Sequence, residues 1–183
     1  SLCCPGEIIF NRMKNIFLTF IFLIAFGTLD VNGQSQEKAF SLLILSFSKN
    51  IQWPQYSSAS TFTIGVFSYE PLADELRASA KNQSASGRKI VIKEIDYPDE
   101  SKGCDVIFIP SFKSKKIADI KTVVSDSPTL LVTNAFMNNS LGSNINIVSK
   151  DGKLTYELYV ASLDAMKLKV PVGIKNLGII IKQ

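Results

Sequence analysis

Four short apolar runs, each set off from the next by a helical or turn-forming segment, do most to limit what this chain can fold into. They are TFTIGVF (Thr61–Phe67), RKIVIKEI (Arg88–Ile95), DVIFIP (Asp105–Pro110) and PTLLVT (Pro128–Thr133). Several are apolar from end to end, so both faces of each strand need cover. That is the pattern of parallel strands with helices on either side. The second run alternates around Ile90, Ile92 and Ile95. EPLADELRASAK (Glu70–Lys81), with Pro71 in its first turn, and SKKIADIKTVV (Ser114–Val124) read as intervening helices. The link from Asp96 to Cys104 is short for a parallel crossover and has room for one helical turn.

The ends of the chain add different elements. Glu37–Trp53 reads as an amphipathic helix with Phe40, Leu43, Ile44, Phe47 and Ile51 on one face and Ser41, Ser48 and Gln52 opposite. Leu42 and Leu45 widen the apolar stripe, and Pro54 ends the helix at Trp53. NINIVSKDGKLTYELY (Asn144–Tyr159) reads as a hairpin around Asp151–Gly152, a pair suited to the two positive φ angles of a type I′ turn. VASLDAMKLK follows as a helix, and VPVGIKNLGIII as an apolar turn with a final helix or strand. The expected fold is one compact α/β domain, a largely parallel sheet flanked by helices, with a C-terminal hairpin and a closing helix.

Before Gln34 the sequence reads as a targeting segment. Arg12 and Lys14 flank Met13, and IFLTFIFLIAF (Ile16–Phe26) is an apolar run too short to span a bilayer but suited to a signal-peptide core. Small residues follow, with Val31 and Gly33 placed like a cleavage site. Residues 1–33 are therefore expected to be upstream sequence plus a signal peptide, with Met13 the natural start. The domain would then occupy 34–183 in the periplasm, with no membrane insertion after cleavage.

Composition narrows the chemistry. Among 183 residues there is no histidine, which removes the usual general base, the usual zinc ligand and any Ser-His or Cys-His dyad. Beyond residue 34 the one cysteine is Cys104, so no internal disulfide is expected there, and too few soft ligands remain to hold a transition metal tightly. A net charge of +4 with acids and bases interspersed offers no basic stripe for nucleic acid. Gly87-Arg88-Lys89 lacks the spacing of a phosphate loop, and no Gly-rich fingerprint follows the first strand. No nucleophile, base and orienter assemble, so neither an enzyme nor a bound cofactor is expected.

Taken together and in order, the motifs resemble the YfiR/HmsC-like family of bacterial periplasmic proteins. FSKNIQWP (Phe47–Pro54) matches its aromatic helix end, FTIGVF the strand after it, and GRKIVIKEI its Gly-Arg-basic step into the next strand. GCDVIFIP matches a Cys before an apolar strand, LTYELY the hairpin strand, and MKLKVPVGIKNLGIII the closing segment. The resemblance spans Gln36 to Lys182. It implies a non-catalytic regulator that restrains an inner-membrane diguanylate cyclase or similar signalling partner through protein contact, tuning cyclic-di-GMP and biofilm formation. The alternative is a periplasmic small-ligand receptor feeding a histidine kinase. Tyr159 stands where the family usually has Asn, and the family's disulfide-forming cysteines are reduced to Cys104. The resemblance therefore does not by itself imply the redox control of relatives.

Five residues follow as site candidates. Leu42, Leu45 and Trp53 are candidates for a partner surface or a homodimer contact, with Trp53 read first as a plug of the core, a role that can coexist with the contact. Arg88 and Glu157 are polar candidates, for a ligand or for structure. Glu157 is either a solvent-facing strand residue or a buried acid paired with a base such as Arg88.

Overall fold

A computed structural model describes residues 32–54, 59–135 and 142–182, with side chains from Gln36 onward. Met13, Cys3, Cys4 and the apolar segment Ile16–Phe26 lie outside those residues. From Gln36 on the chain forms one compact unit. Among the described residues, no helix is long and apolar enough to cross a membrane.

The elements run α1 (Asn32–Asn50), β1 (Thr61–Phe67), α2 (Glu70–Ser79), β2 (Ser84–Ala85), β3 (Arg88–Ile95), a 3-10 turn (Pro98–Ser101) and β4 (Val106–Ile109). A second 3-10 stretch (Ser111–Lys116) leads into α3 (Ile117–Val123) and β5 (Leu130–Thr133). Then come β6 (Ile145–Lys150), β7 (Lys153–Tyr159), α4 (Val160–Ala165), α5 (Val172–Leu177) and β8 (Ile179–Ile181). They build one eight-stranded sheet in the order β2-β3-β1-β4-β5-β6-β7-β8. Strands β3, β1, β4, β5 and β6 are mutually parallel, while β2 and β7 pair antiparallel with β3 and β6, and β8 runs parallel to β7. The sheet is thus mixed, mostly parallel, with the antiparallel pairs toward its edges.

Side chains alternate between two cores, as strands buried on both faces require. Phe62, Ile64, Val66, Val106, Phe108, Leu130, Val132, Tyr156 and Leu158 pack with Phe40, Ile44 and Phe47 of α1 and Leu72 and Leu76 of α2. On the other face Phe67, Ile95, Ile107, Ile109 and Leu131 pack with Ile117 and Ile120 of α3 and with Cys104. Gly65 lies on this second face, where a Cβ would strike the Ile95 side chain and come within 3.2 Å of Cys104 Sγ. The short link from β3 to β4 works because it holds the Pro98–Ser101 turn and because β3 and β4 flank β1 on either side. The hairpin turns at Asp151 (φ 52°) and Gly152 (φ 73°), the two positive values a type I′ turn demands.

Helix α1 departs from the expected pattern in two ways. It ends at Asn50, whose side-chain amide donates to the Ser46 carbonyl at 2.8 Å. Gln52 exchanges backbone hydrogen bonds with Lys169, each 3.0 Å, so Trp53 lies on an extended segment beyond the helix. The predicted polar face is also wrong: Ser41 and Ser48 are fully buried. Their hydroxyls donate to Lys38 and Ile44 carbonyls of the same helix at 3.0 and 2.8 Å. Satisfied in this way, a serine behaves as a small spacer, and Ser41 Oγ comes within 3.4 Å of Ser79 Oγ on α2.

Candidate functional site

The amino ends of β1, β3, β4 and β5 meet around a cavity of about 360 Å³. Arg88 is the first residue of β3 and Asp105 immediately precedes β4, so parallel pairing with β1 brings both to the same edge. Arg88 Nη2 donates to Asp105 Oδ1 at 2.7 Å and Nη1 to Oδ2 at 3.2 Å, in the side-on fork that arginine makes with a carboxylate. Nη1 also donates to the Thr61 carbonyl at 3.0 Å, and the Thr63 N–H donates to Asp105 Oδ2 at 2.8 Å. The two side chains are only 14% and 13% exposed. Their guanidinium–carboxylate unit ties three strands together through backbone as well as charge. The Asp105 N–H donates to Thr63 O at 2.9 Å, and its carbonyl accepts from Leu130 N at 2.8 Å.

Phe62 connects this pair to Trp53. The Arg88 guanidinium carbon sits 5.0 Å from the Phe62 ring centroid, and the Trp53 ring meets Phe62 edge-on at 5.0 Å and 86°. Trp53 is half-buried, packs against the first core and lines the cavity. Among the described residues its buried Nε1 has no hydrogen-bond partner. The remaining walls include Pro54, Gly103, Asp126, Ser127 and Pro128. Cys104 also borders the cavity, but burial pushes its thiol up to about 11, so it stays protonated at neutral pH and is a poor nucleophile.

The structure therefore brings two of the five predicted residues, Trp53 and Arg88, to one site and separates the other three. Leu42 is 58% exposed on α1, whereas Leu45 is 4% exposed and belongs to the first core. A leucine so placed cannot contribute to an outer surface of this fold. Glu157 is not paired with Arg88. Strands β1, β4, β5 and β6 lie between β3 and β7, roughly five strand spacings of about 4.8 Å. Instead Glu157 Oε2 accepts from Asn146 Nδ2 at 3.0 Å and from the Tyr159 hydroxyl at 2.9 Å. Asn146 is the hub of that group: its Oδ1 accepts from Thr133 Oγ1 and Ala135 N, both at 2.9 Å, and its Nδ2 also donates to Ala135 O at 3.1 Å. Burial, and then the bond to Glu157, raise the Tyr159 phenol well above its ordinary value.

Besides this Asn146 group, two arrangements were missed from sequence. One is the choice of Asp105 for Arg88; both residues sit at strand entrances, which was a usable signal once a parallel sheet was expected. The other lies at the opposite, carboxyl end of β1. The Tyr69 hydroxyl donates to a Glu37 carboxylate oxygen of α1, and exposed Phe112 meets the Tyr69 ring edge-on at 5.8 Å. Burial first, then Glu37, push this phenol up to about 12. No periodicity links position 37 to position 69. Among the described residues, no group of three or more His, Cys, Asp and Glu side chains is placed to hold a metal.

A mixed eight-stranded sheet with two cores defines a small α/β domain. The chain belongs to the YfiR/HmsC-like family, whose pattern it matches over residues 37–178. This is a regulatory family of periplasmic proteins in cyclic-di-GMP signalling. The fold is also similar to the crystal structure of a conserved domain protein from Vibrio cholerae O1 biovar El Tor, with a TM-score of 0.55 at 12% identity. That similarity covers 80% of this chain and 60% of the other, so this chain spans less than two thirds of that one. No curated protein matches the sequence.

Proposed function

We propose that this protein restrains a membrane-bound signalling enzyme, a diguanylate cyclase, by binding its periplasmic part. The observation that carries the reading is the family match over nearly the whole compact unit, residues 37–178. A protein outside the membrane changes a cytoplasmic active site only by binding one state of a transmembrane partner better than another. A difference of about 3 kcal/mol moves such an equilibrium on the order of 10²-fold. The contact surface proposed is the outer face of α1 around Leu42, an apolar side chain that is 58% exposed.

Deleting the gene should raise cyclic-di-GMP and surface attachment. Leu42→Glu should do the same while the protein is still made and folded. A deletion strain with wild-type cyclic-di-GMP would defeat the restraint model; a normal Leu42→Glu strain beside an affected deletion strain would move the contact elsewhere. A second reading, a small-ligand receptor feeding a sensor kinase, is favoured by one feature only, the cavity beside Trp53.

A further inference from the structure

The cavity at the amino edge of the sheet has a charge balance that selects among ligands. Its lining carries one guanidinium, Arg88, and two carboxylates, Asp105 and Asp126. Arg88 and Asp105 cancel: they share hydrogen bonds of 2.7 and 3.2 Å, and their side chains also bond Thr61 O and Thr63 N. An anionic ligand would meet a guanidinium whose charge is already balanced by Asp105, with the Asp105 and Asp126 carboxylates close by to repel it. Asp126 is different. It is exposed and, among the described residues, makes no ion pair and accepts one side-chain hydrogen bond, from the Ser125 hydroxyl at 3.4 Å. Around it the same cavity offers Trp53, Pro54 and Pro128, flat apolar surfaces that suit a hydrocarbon body.

We infer that this cavity binds a small organic cation, an amine carrying an apolar or aromatic body, with Asp126 meeting the charge and Trp53 the body. Electrostatics and chemistry agree on that class. A carboxylate at the rim attracts the ammonium, and an indole is the aromatic ring that best accommodates a cation nearby. The volume of about 360 Å³ lies at the small end of ligand sites, which limits the body to roughly one ring or a short chain. The inference rests on reading the cavity as a ligand site, and is independent of whether the protein restrains a cyclase.

Trp53 is the chain's one tryptophan, so its emission reports on the site directly. The full-length protein should be titrated with benzylammonium, benzyl alcohol and benzoate, three probes of nearly one shape and different charge, with calorimetry in parallel. Benzylammonium is expected to give a saturable change in Trp53 emission, with affinity about tenfold above benzyl alcohol and further above benzoate. Asp126→Asn should weaken benzylammonium about tenfold, leave benzyl alcohol unchanged and keep the unfolding midpoint of the wild type. Benzoate binding as well as or better than benzylammonium would overturn the cation assignment while leaving a ligand site in place. An unaltered affinity in Asp126→Asn would overturn the role of Asp126 and the assignment with it. No saturable binding of any probe would overturn both the assignment and the ligand-site reading.

Discussion

The Arg88–Asp105 pair and the Asn146–Glu157–Tyr159 group place the same kind of side chain, a carboxylate, against the sheet by opposite means. At the amino edge Asp105 is met by a full positive charge and a backbone N–H. Toward the C-terminal edge Glu157 is met by an amide and a phenol, both neutral donors. The first arrangement concentrates its cost in one bond system: remove either partner and the other is left charged in a poorly hydrated place. The second spreads its cost over a network in which the Asn146 amide both accepts twice and donates twice, and no single loss strands a cation. An ionic clasp therefore holds strand entrances rigidly together, whereas a hydrogen-bonded hub gives way in smaller steps.

The largest effect should come from breaking the clasp. Asp105→Ala leaves the Arg88 guanidinium in place with its main counter-charge gone, and should cost about 3–5 kcal/mol by denaturant unfolding. The paired replacement Arg88→Met with Asp105→Leu should cost much less, because it removes both charges and keeps volume. If the double variant is as damaged as the single one, backbone contacts rather than the ion pair hold this edge.

Asn146→Ala should cost less, about 2–3 kcal/mol, since the groups it leaves short of partners at Thr133 and Ala135 are neutral and Glu157 keeps the Tyr159 hydroxyl. A loss equal to that of Asp105→Ala would erase the contrast between clasp and hub.

The smallest effect is an alkaline one. Tyr69 and Tyr159 both hold their protons more tightly than a free phenol, through burial and then the glutamate beside each. Their contribution to stability is therefore fully present below about pH 10, the ordinary value for tyrosine, and is lost as pH rises toward about 12, where Tyr69 ionises. Unfolding measured at pH 9 and pH 11 should show the decline, and Tyr69→Phe should flatten part of it at a cost of about 1 kcal/mol at neutral pH. A Tyr69→Phe variant with an unchanged pH slope would assign the decline to other groups.

Much of this architecture was legible in the chain itself. The strands at Thr61, Arg88, Val106 and Leu130, the helix at Glu70 and the Asp151–Gly152 turn each follow from patterns local in sequence. Apolar runs of strand length, a proline in a first turn and residues tolerant of positive φ act over a few positions, and their physics is complete there. The same holds for what the absence of histidine says about chemistry. Tertiary structure decided the rest. Whether Leu42 or Leu45 faces water depends on which elements cover α1, because a helix wheel ranks faces by polarity and cannot see neighbours. Two serines could go inside only because their own helix satisfies them. Arg88 chose Asp105 over Glu157 because parallel pairing of β3 and β4 with β1 carries residues 88 and 105 to one edge and leaves four strands between β3 and the strand of residue 157. Charge has no periodicity that survives a crossover, so which residues become partners is settled by strand order and register alone.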